Sequence, residues 1–383
     1  MAAEFVAKTP ILADAVKDLT GFYQQLAAPT TPALAIWFTF WGFLVVCYYL
    51  VPGPVGRGVP LKNGKQLEYR INGFRSFVLL LALFYGGSFA GWWTPTVIYD
   101  NFWPLFTVVN YFSFAQVLFL YIKGRFFSNE FETHGNVLAD LWYGVELNPR
   151  MLGFDFKYFA YRPLIMGWAL LILSIVHHQY AVYGVVSIPM GLYLLFTWWY
   201  TIDYLWVEHK ICTTWDIIAE HFGFGLVWGD HAFYPFFYSI QAHYLIEPFE
   251  LHPVAYLAIV AVFFTGYTIF RQANNQKDEF KRVGKKAKIW GKPVTTTKDG
   301  RLLTSGWWGV GRHINYLGDI LIAVGWTLPC GFSSLIPWTH SMFFIPFLMH
   351  REHRDEQRMR EKYGATYQEY CRVAKYRIFP FIY

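Results

Sequence analysis

Apolar residues in this chain run in long unbroken stretches. Windows of about 18 or more residues with almost no charge are long enough to cross a bilayer as a helix. They fall near residues 33–51, 76–93, 102–122, 163–182, 183–202, 222–246, 252–270, 316–335 and 336–349. The segments 222–246 and 314–349 each divide in more than one way, so the pattern predicts about ten transmembrane helices. Helices are the expected form, because lipid offers no partner for a backbone polar group outside its own segment. The alternating period of a membrane barrel is absent from the sequence. Trp92, Trp93, Trp198, Trp199 and Tyr200 crowd the ends of these windows, as an interfacial aromatic belt does. The expected fold class is therefore all-α, a polytopic transmembrane helical bundle. Residues 1–30 read as a lead-in with no basic segment and cleavage site of the kind that marks a removable signal.

Composition strengthens this picture. Of 383 residues, 55% are apolar, 21% aromatic and 15% charged, whereas a soluble domain carries about 25% charged residues. That excludes a set of ordinary soluble domains and leaves one integral-membrane domain. We divide it into the lead-in 1–30, an N-terminal set of helices 31–250 and a C-terminal half 251–383. The four cysteines (Cys47, Cys212, Cys330, Cys371) are scattered and form no CxxC pair, so no metal or dithiol site is expected.

Charge is concentrated late in the chain. Residues 271–301 hold ten Lys or Arg against three acids, a net +7 that exceeds the +6 of the whole protein. A basic loop is what the positive-inside rule gives at a cytoplasmic face, and no nucleic-acid partner is implied. Lys277 and Lys281 lie four residues apart, so on a helix they share a face and can grip one phosphate. Spacing alone leaves both readings standing.

Three further stretches carry polar chemistry. In LLTSGWWGVGRHINYLGD (302–319), Arg312, His313, Asn315, Tyr316 and Asp319 cluster at the mouth of a span; polar groups there serve either a site or an interfacial anchor. Its glycines do not match GxGxxG, so no Rossmann site is expected. In HREHRDEQRMREKYG (350–364), Arg351 with Asp355 and Arg354 with Arg358 sit at i,i+4 spacing, which suits a solvated ionic helix or one wall of a ligand site. Gly364 is placed to end that helix. In residues 202–230, Asp203, Glu208, Asp216, Glu220 and Asp230 lie among aromatic residues, the composition of a cavity for a flat apolar ligand.

These stretches carry a resemblance. LNPR (147–150), TTWDIIAEHFGFGLVWGD (213–230), FRQANNQK (270–277) and the two stretches at 302–319 and 350–364 occur in one order. Together they resemble the sterol reductases, a family that includes delta-14 and delta-7 sterol reductase and the reductase-like half of the lamin B receptor. The similarity runs from about residue 60 to the closing RIFPFIY. It implies about ten transmembrane helices, with NADPH in a cytoplasmic-side pocket built from the C-terminal half. Carried over position by position, Lys277 and Lys281 meet the cofactor phosphates, and Leu303, Trp308, Asn315 and Tyr316 contact the cofactor. So do Asp355, Met359, Arg360, Glu361, Lys362, Tyr363 and Tyr370. Lys281 stands where the family usually has Arg, Met359 where it has Cys and Ala139 where it has Tyr or His; Trp142 also departs from the pattern.

The implied reaction is NADPH-dependent reduction of a sterol carbon–carbon double bond. An isolated alkene does not accept hydride, whereas a conjugated diene can be protonated first; Tyr370 is the expected proximal acid and Asp355 its partner or proton source. Residues 302–319, TLPCGFSSLIPW (327–338) and the closing YRIFPFIY look most like the delta-14 branch, so the 14,15 bond of a delta-8,14 sterol is the expected target. A delta-7 or delta-24 bond is the alternative. The RHxxYxGD, KYG and YRxxP elements also resemble isoprenylcysteine methyltransferases, which use S-adenosylmethionine, and a non-catalytic sterol-binding protein is a third reading. The expected partners are a sterol and membrane lipid, in the endoplasmic reticulum if eukaryotic or the inner membrane if bacterial. The oligomeric state is not legible.

Overall fold

A computed structural model describes residues 28–60, 64 and 66–383, so nearly all of the expected lead-in lies outside the described residues. The chain forms two compact units, one ending at Phe249 and the other spanning Glu250–Tyr383. Both are mostly helical. Among the described residues, four helices are long and apolar enough to cross a membrane: Thr31–Leu50, Phe102–Phe127, Phe156–Tyr183 and Pro253–Lys286; Gly73–Phe89 and Ile314–Cys330 are shorter apolar helices. The purely helical expectation needs one small amendment, because three short antiparallel strand pairs interrupt it.

In the first unit, α1 (Thr31–Leu50) starts where the Thr30 hydroxyl accepts from the Ala33 amide at 3.3 Å and Pro32 occupies the first turn. Both features satisfy orphan amides of a helix start. A hairpin of β1 (Val55–Pro60) and β2 (Gln66–Arg70) leads to α2 (Gly73–Phe89), α3 (Phe102–Phe127), α4 (Phe156–Tyr183) and α5 (Ile188–Trp206). Gly184, left-handed at φ 71°, ends α4, a conformation that glycine takes without steric cost. α4 is the buried axis of the unit, with Ile165, Met166, Trp168 and Ala169 fully enclosed.

The window 222–246, which composition divides in more than one way, is divided finely. It is a run of short pieces, Phe224–Trp228, a π turn at Gly229–Phe233, Tyr234–Phe237 and Ile240–Tyr244. Pro235 cannot continue the ladder and Gly229 loosens it, so apolarity alone overstates regularity here.

Buried charges in this unit are tied to named partners. Lys157 donates to three carbonyls, Asp216 O at 2.7 Å, Ile217 O at 3.1 Å and Glu220 O at 2.8 Å. Glu208 accepts from the Gly73 amide at 2.6 Å and lies 3.3 Å from Arg162, whose guanidinium also meets Asn72 at 2.5 Å. The acids of the 202–230 stretch thus include structural members. Glu208 closes a network, and the chain around Asp216 and Glu220 is pinned by a lysine.

The second unit holds α6 (Pro253–Val283), a two-residue-per-strand hairpin at Lys288–Ile289 and Lys292–Pro293, α7 (Ile314–Thr327), α8 (Thr339–Tyr363) and α9 (Ala365–Val373). The apolar stretch before residue 350 and the ionic stretch after it are one continuous helix, α8. Gly364, at φ 51°, closes it with its amide on Arg360 O. α6 and α7 meet backbone to backbone through Gly266, Gly318 and Gly325, where any added Cβ would lie under 3 Å from the opposite chain. Small residues allow this approach where lipid supplies no hydrophobic drive between helices.

Candidate functional site

The polar residues singled out in the C-terminal half gather in the second unit around α6, α7, α8 and α9. Gln276 and Gln272 on α6 hold the GWWG segment, because Gln276 Oε1 accepts from the Trp307 amide at 2.9 Å and Gln272 Oε1 from the Trp307 indole at 3.0 Å. The Trp308 indole donates to Ala273 O at 2.8 Å, one helical turn before Lys277. Lys277 Nζ then lies 4.6 Å from the centre of the Trp308 ring, a cation–π contact. Gly306, at φ 64°, makes this possible, since a Cβ there would strike Gln276 at 2.4 Å. Leu303 and Trp308 are buried in one cluster with Phe280 and Ile289.

From the other side, Tyr370 on α9 is 4% exposed and donates its hydroxyl to Trp308 O at 3.0 Å. Burial pushes its phenol well above the ordinary value, so it stays protonated. Tyr367, Tyr370 and Ala374 form a second cluster with Met359 and Tyr363 packed against it. Arg360, Glu361 and Lys362 are exposed on the last turn of α8, and Lys277 and Lys281 are exposed on α6. Among the described residues Arg360, Glu361 and Lys362 all lie outside these two apolar clusters.

Asn315 and Tyr316 occupy the first turn of α7, half-buried. The His313 ring, just before them, stacks on Tyr316 with centroids 5.3 Å apart. His313 Nδ1 faces Asp355 Oδ2 at 3.9 Å. Asp355 is therefore next to His313, while Tyr370 is engaged with Trp308.

Behind this front lies an ionic core that the motifs did not announce. Glu356 Oε1 accepts from Arg312 Nε at 2.7 Å and from the Tyr367 hydroxyl. Arg312 also donates to Ala374 O at 2.9 Å and Lys375 O at 3.1 Å. Burial works to raise the Glu356 carboxyl, but His313, Tyr367 and Arg312 outweigh it and hold the group down to about 2. Glu352, fully buried, faces Arg377 at 3.6 Å. Donor atoms of His313, Glu352 and Glu356 lie within 4.8 Å of one another. Arg312 and Arg377 already neutralise both carboxylates, which leaves the set little charge to hold a divalent ion. The sequence did carry one signal for these acids: Leu348, Glu352 and Glu356 continue at four-residue steps the buried stripe of the apolar half of α8.

The residues present fit a dinucleotide. Lysines one turn apart on α6, an indole and a phenol beside them, and amide and carboxyl groups at the start of α7 and on α8 match its phosphates, rings and ribose hydroxyls.

Fold and site together define a helical membrane protein whose C-terminal unit presents cations and aromatic rings in front of a buried acid cluster. The Ergosterol biosynthesis ERG4/ERG24 family matches residues 6–383. The chain belongs to that family. It is 41% identical over 367 residues to the delta(14)-sterol reductase of Methylotuvimicrobium alcaliphilum, covering 94% of this chain and 86% of that one. It is 39% identical to the delta(14)-sterol reductase of Arabidopsis thaliana, covering 93% and 97%. Against delta(14)-sterol reductase TM7SF2 of Mus musculus it is 39% identical, covering 92% and 85%.

Proposed function

We propose that this chain is a sterol reductase that reduces the 14,15 double bond of a delta-8,14 sterol with NADPH. The observation that carries the reading is its 41% identity, over nearly the whole chain, to a relative named delta(14)-sterol reductase. The second unit adds a donor set that fits the cofactor.

A conjugated diene is attacked in two steps. A proton adds to one end, and the resulting allylic cation accepts hydride; a bound reduced nicotinamide supplies that hydride. The chain's own residues do the rest. Lys277 and Lys281 bind phosphate, with Lys277 held in place over Trp308. Asn315, Tyr316, Met359, Arg360, Glu361, Lys362 and Tyr363 line the cofactor, and Leu303 and Trp308 form its apolar floor. Asp355 is the proton source, and Tyr370, kept protonated by burial, is the proximal acid. The apolar packing around Tyr367 and Tyr370 excludes the water that would quench the cation. In this reading about ten helices cross the membrane, and the basic segment 271–301 sets the cofactor side in the cytoplasm.

The test is to incubate detergent-purified protein with NADPH and a delta-8,14 sterol and to identify products by gas chromatography with mass spectrometry. Gain of two hydrogens at carbons 14 and 15 is the expected result. Reduction only of a delta-7 or delta-24 sterol offered in parallel keeps the family and overturns the 14,15 assignment.

A further inference from the structure

Each turnover consumes one proton, so the acid that gives it must be recharged from water. The geometry behind Asp355 offers a route. His313 is 5% exposed and sits between three carboxyl groups of α8. Its Nδ1 is 3.9 Å from Asp355 Oδ2, and its Nε2 is 3.7 Å from Glu356 Oε1 and 3.9 Å from Glu352 Oε1. His313 Nε2 and Glu352 Oε1 are both buried without a hydrogen-bond partner and face each other at 3.9 Å. An unsatisfied buried polar atom costs about 1–3 kcal/mol, so two that face each other ask for a reason beyond packing.

The two glutamates are not equivalent. Glu356 is committed to Arg312 and to the Tyr367 hydroxyl. Glu352 Oε2 has the Tyr383 hydroxyl at 3.4 Å and Arg377 Nη1 at 3.6 Å. Tyr383 is 37% exposed and takes a hydrogen bond from Arg377 at 2.8 Å. A continuous line therefore runs from solvent through Tyr383 and Glu352 to His313, and from there to Asp355. Each gap of 3.7–3.9 Å around the imidazole needs to close by about 1 Å for a hydrogen bond to form.

We propose that His313 is a positioning residue that returns a proton from Glu352 to Asp355 between turnovers; this rests on the sterol-reductase reading and assigns the recharging of its acid. A solvent proton adds to the Glu352 carboxylate, and the Glu352 O–H bond breaks as His313 Nε2 takes that proton. The His313 Nδ1–H bond breaks as Asp355 takes the next. Glu352 ends as carboxylate, Asp355 as carboxylic acid and His313 as the opposite neutral tautomer, which resets when Nε2 releases its proton to water and Nδ1 takes one back. The net change is one proton carried inward. Arg312, Arg377 and the ionised Glu356 keep the charge of the core balanced throughout, while Tyr316 supports the ring from its face.

The experiment uses the full-length protein in detergent with NADPH and the delta-8,14 sterol. His313→Ala is expected to lower kcat by about 100-fold, within the usual range for a lost proton-transfer group. The Kd for NADPH should stay within about twofold of the wild type. Added imidazole should restore at least about tenfold of the lost rate in His313→Ala and none in Glu352→Gln. An unchanged kcat, or a loss without rescue, overturns the relay. Where His313→Ala does not fold, His313→Gln and Tyr383→Phe decide: wild-type kcat and wild-type solvent deuterium effects in both overturn it. A wild-type protein that reduces no sterol at all defeats the underlying reading instead, so the two failures are distinguishable.

Discussion

Gly318 tests whether the helix pair that carries the site is set by backbone contact. A Cβ built on Gly318 would lie 2.4 Å from the Phe270 amide nitrogen and 2.8 Å from both Gly266 O and Phe270 Cα. Ordinary carbon contacts begin near 3.4 Å, so Gly318→Ala requires α6 and α7 to part by about 1 Å. All three obstacles are backbone, and no side chain can swing aside. The reciprocal contact is as tight, with a Cβ on Gly266 2.6 Å from Leu321 Cβ and 2.8 Å from Ile322 N. Overpacking of this kind costs about 1–3 kcal/mol. Asn315 and Tyr316 lie one turn before Gly318 on α7, and Lys277 lies two turns past Phe270 on α6. The same displacement therefore loosens the cofactor residues, and an affinity loss of about tenfold corresponds to about 1.4 kcal/mol. The assay is thermal unfolding in detergent together with NADPH binding by fluorescence. Gly42→Ala is the control, because nothing lies within 4 Å of a Cβ there; it should match or slightly exceed wild-type stability through helix propensity alone. A Gly318→Ala protein that melts and binds NADPH like the wild type refutes the reasoning.

Glu356→Gln leaves the Arg312 guanidinium buried beside a neutral group and should cost about 3–5 kcal/mol, read as a lowered melting temperature. The pH dependence has a definite sign: the Glu356 carboxyl lies below its ordinary 4.5, at about 2, so its stabilisation is full above 4.5 and is lost as pH falls through 2. That loss has a ceiling of about 3 kcal/mol and should be missing from acid melts of Glu356→Gln. Lys277→Ala should raise the NADPH Kd by about tenfold or more while leaving a measurable kcat at saturating cofactor, checked by steady-state kinetics. Lys157→Met strips three carbonyls of their donor and should cost about 1–3 kcal/mol, with faster amide exchange confined to 213–223.

Much of the helical pattern was legible because lipid-spanning segments must be apolar throughout, and that demand is written in composition. The windows at 33–51, 102–122 and 252–270 correspond to α1, α3 and the first part of α6. The window 222–246 admits more than one division because burial within the protein imposes the same apolarity without regular backbone. Its π turn and short helices rest on Pro235, on Gly229 and on tertiary contacts such as Trp168 Nε1 donating to Tyr238 O at 3.0 Å. The acids of 202–230 show the same limit. A charge among aromatics reads as a cavity wall, yet Glu208 is held by Gly73 and Arg162, partners 135 and 46 residues away.

The ionic half of α8 shows why spacing alone could not choose between a solvated face and a site wall. An exposed face and a buried face are both present on this one helix. The i,i+4 pairs Arg351 with Asp355 and Arg354 with Arg358 run along its more exposed side, whereas the buried side is the stripe of Leu348, Glu352 and Glu356. The charges that neutralise that stripe come from outside the helix, Arg312 from the turn before α7 and Arg377 from the C-terminal segment. Those two segments are joined by backbone bonds, Arg312 N to Tyr376 O and His313 N to Arg377 O, each 2.9 Å. The closing residues therefore fix the height of His313 and Arg312 against α8, so shortening the chain at residue 375 should release both carboxylates at once. The residues we propose for the cofactor come from motifs, whereas the residues that hold those motifs in place are distributed over three segments and become visible only when these are folded together.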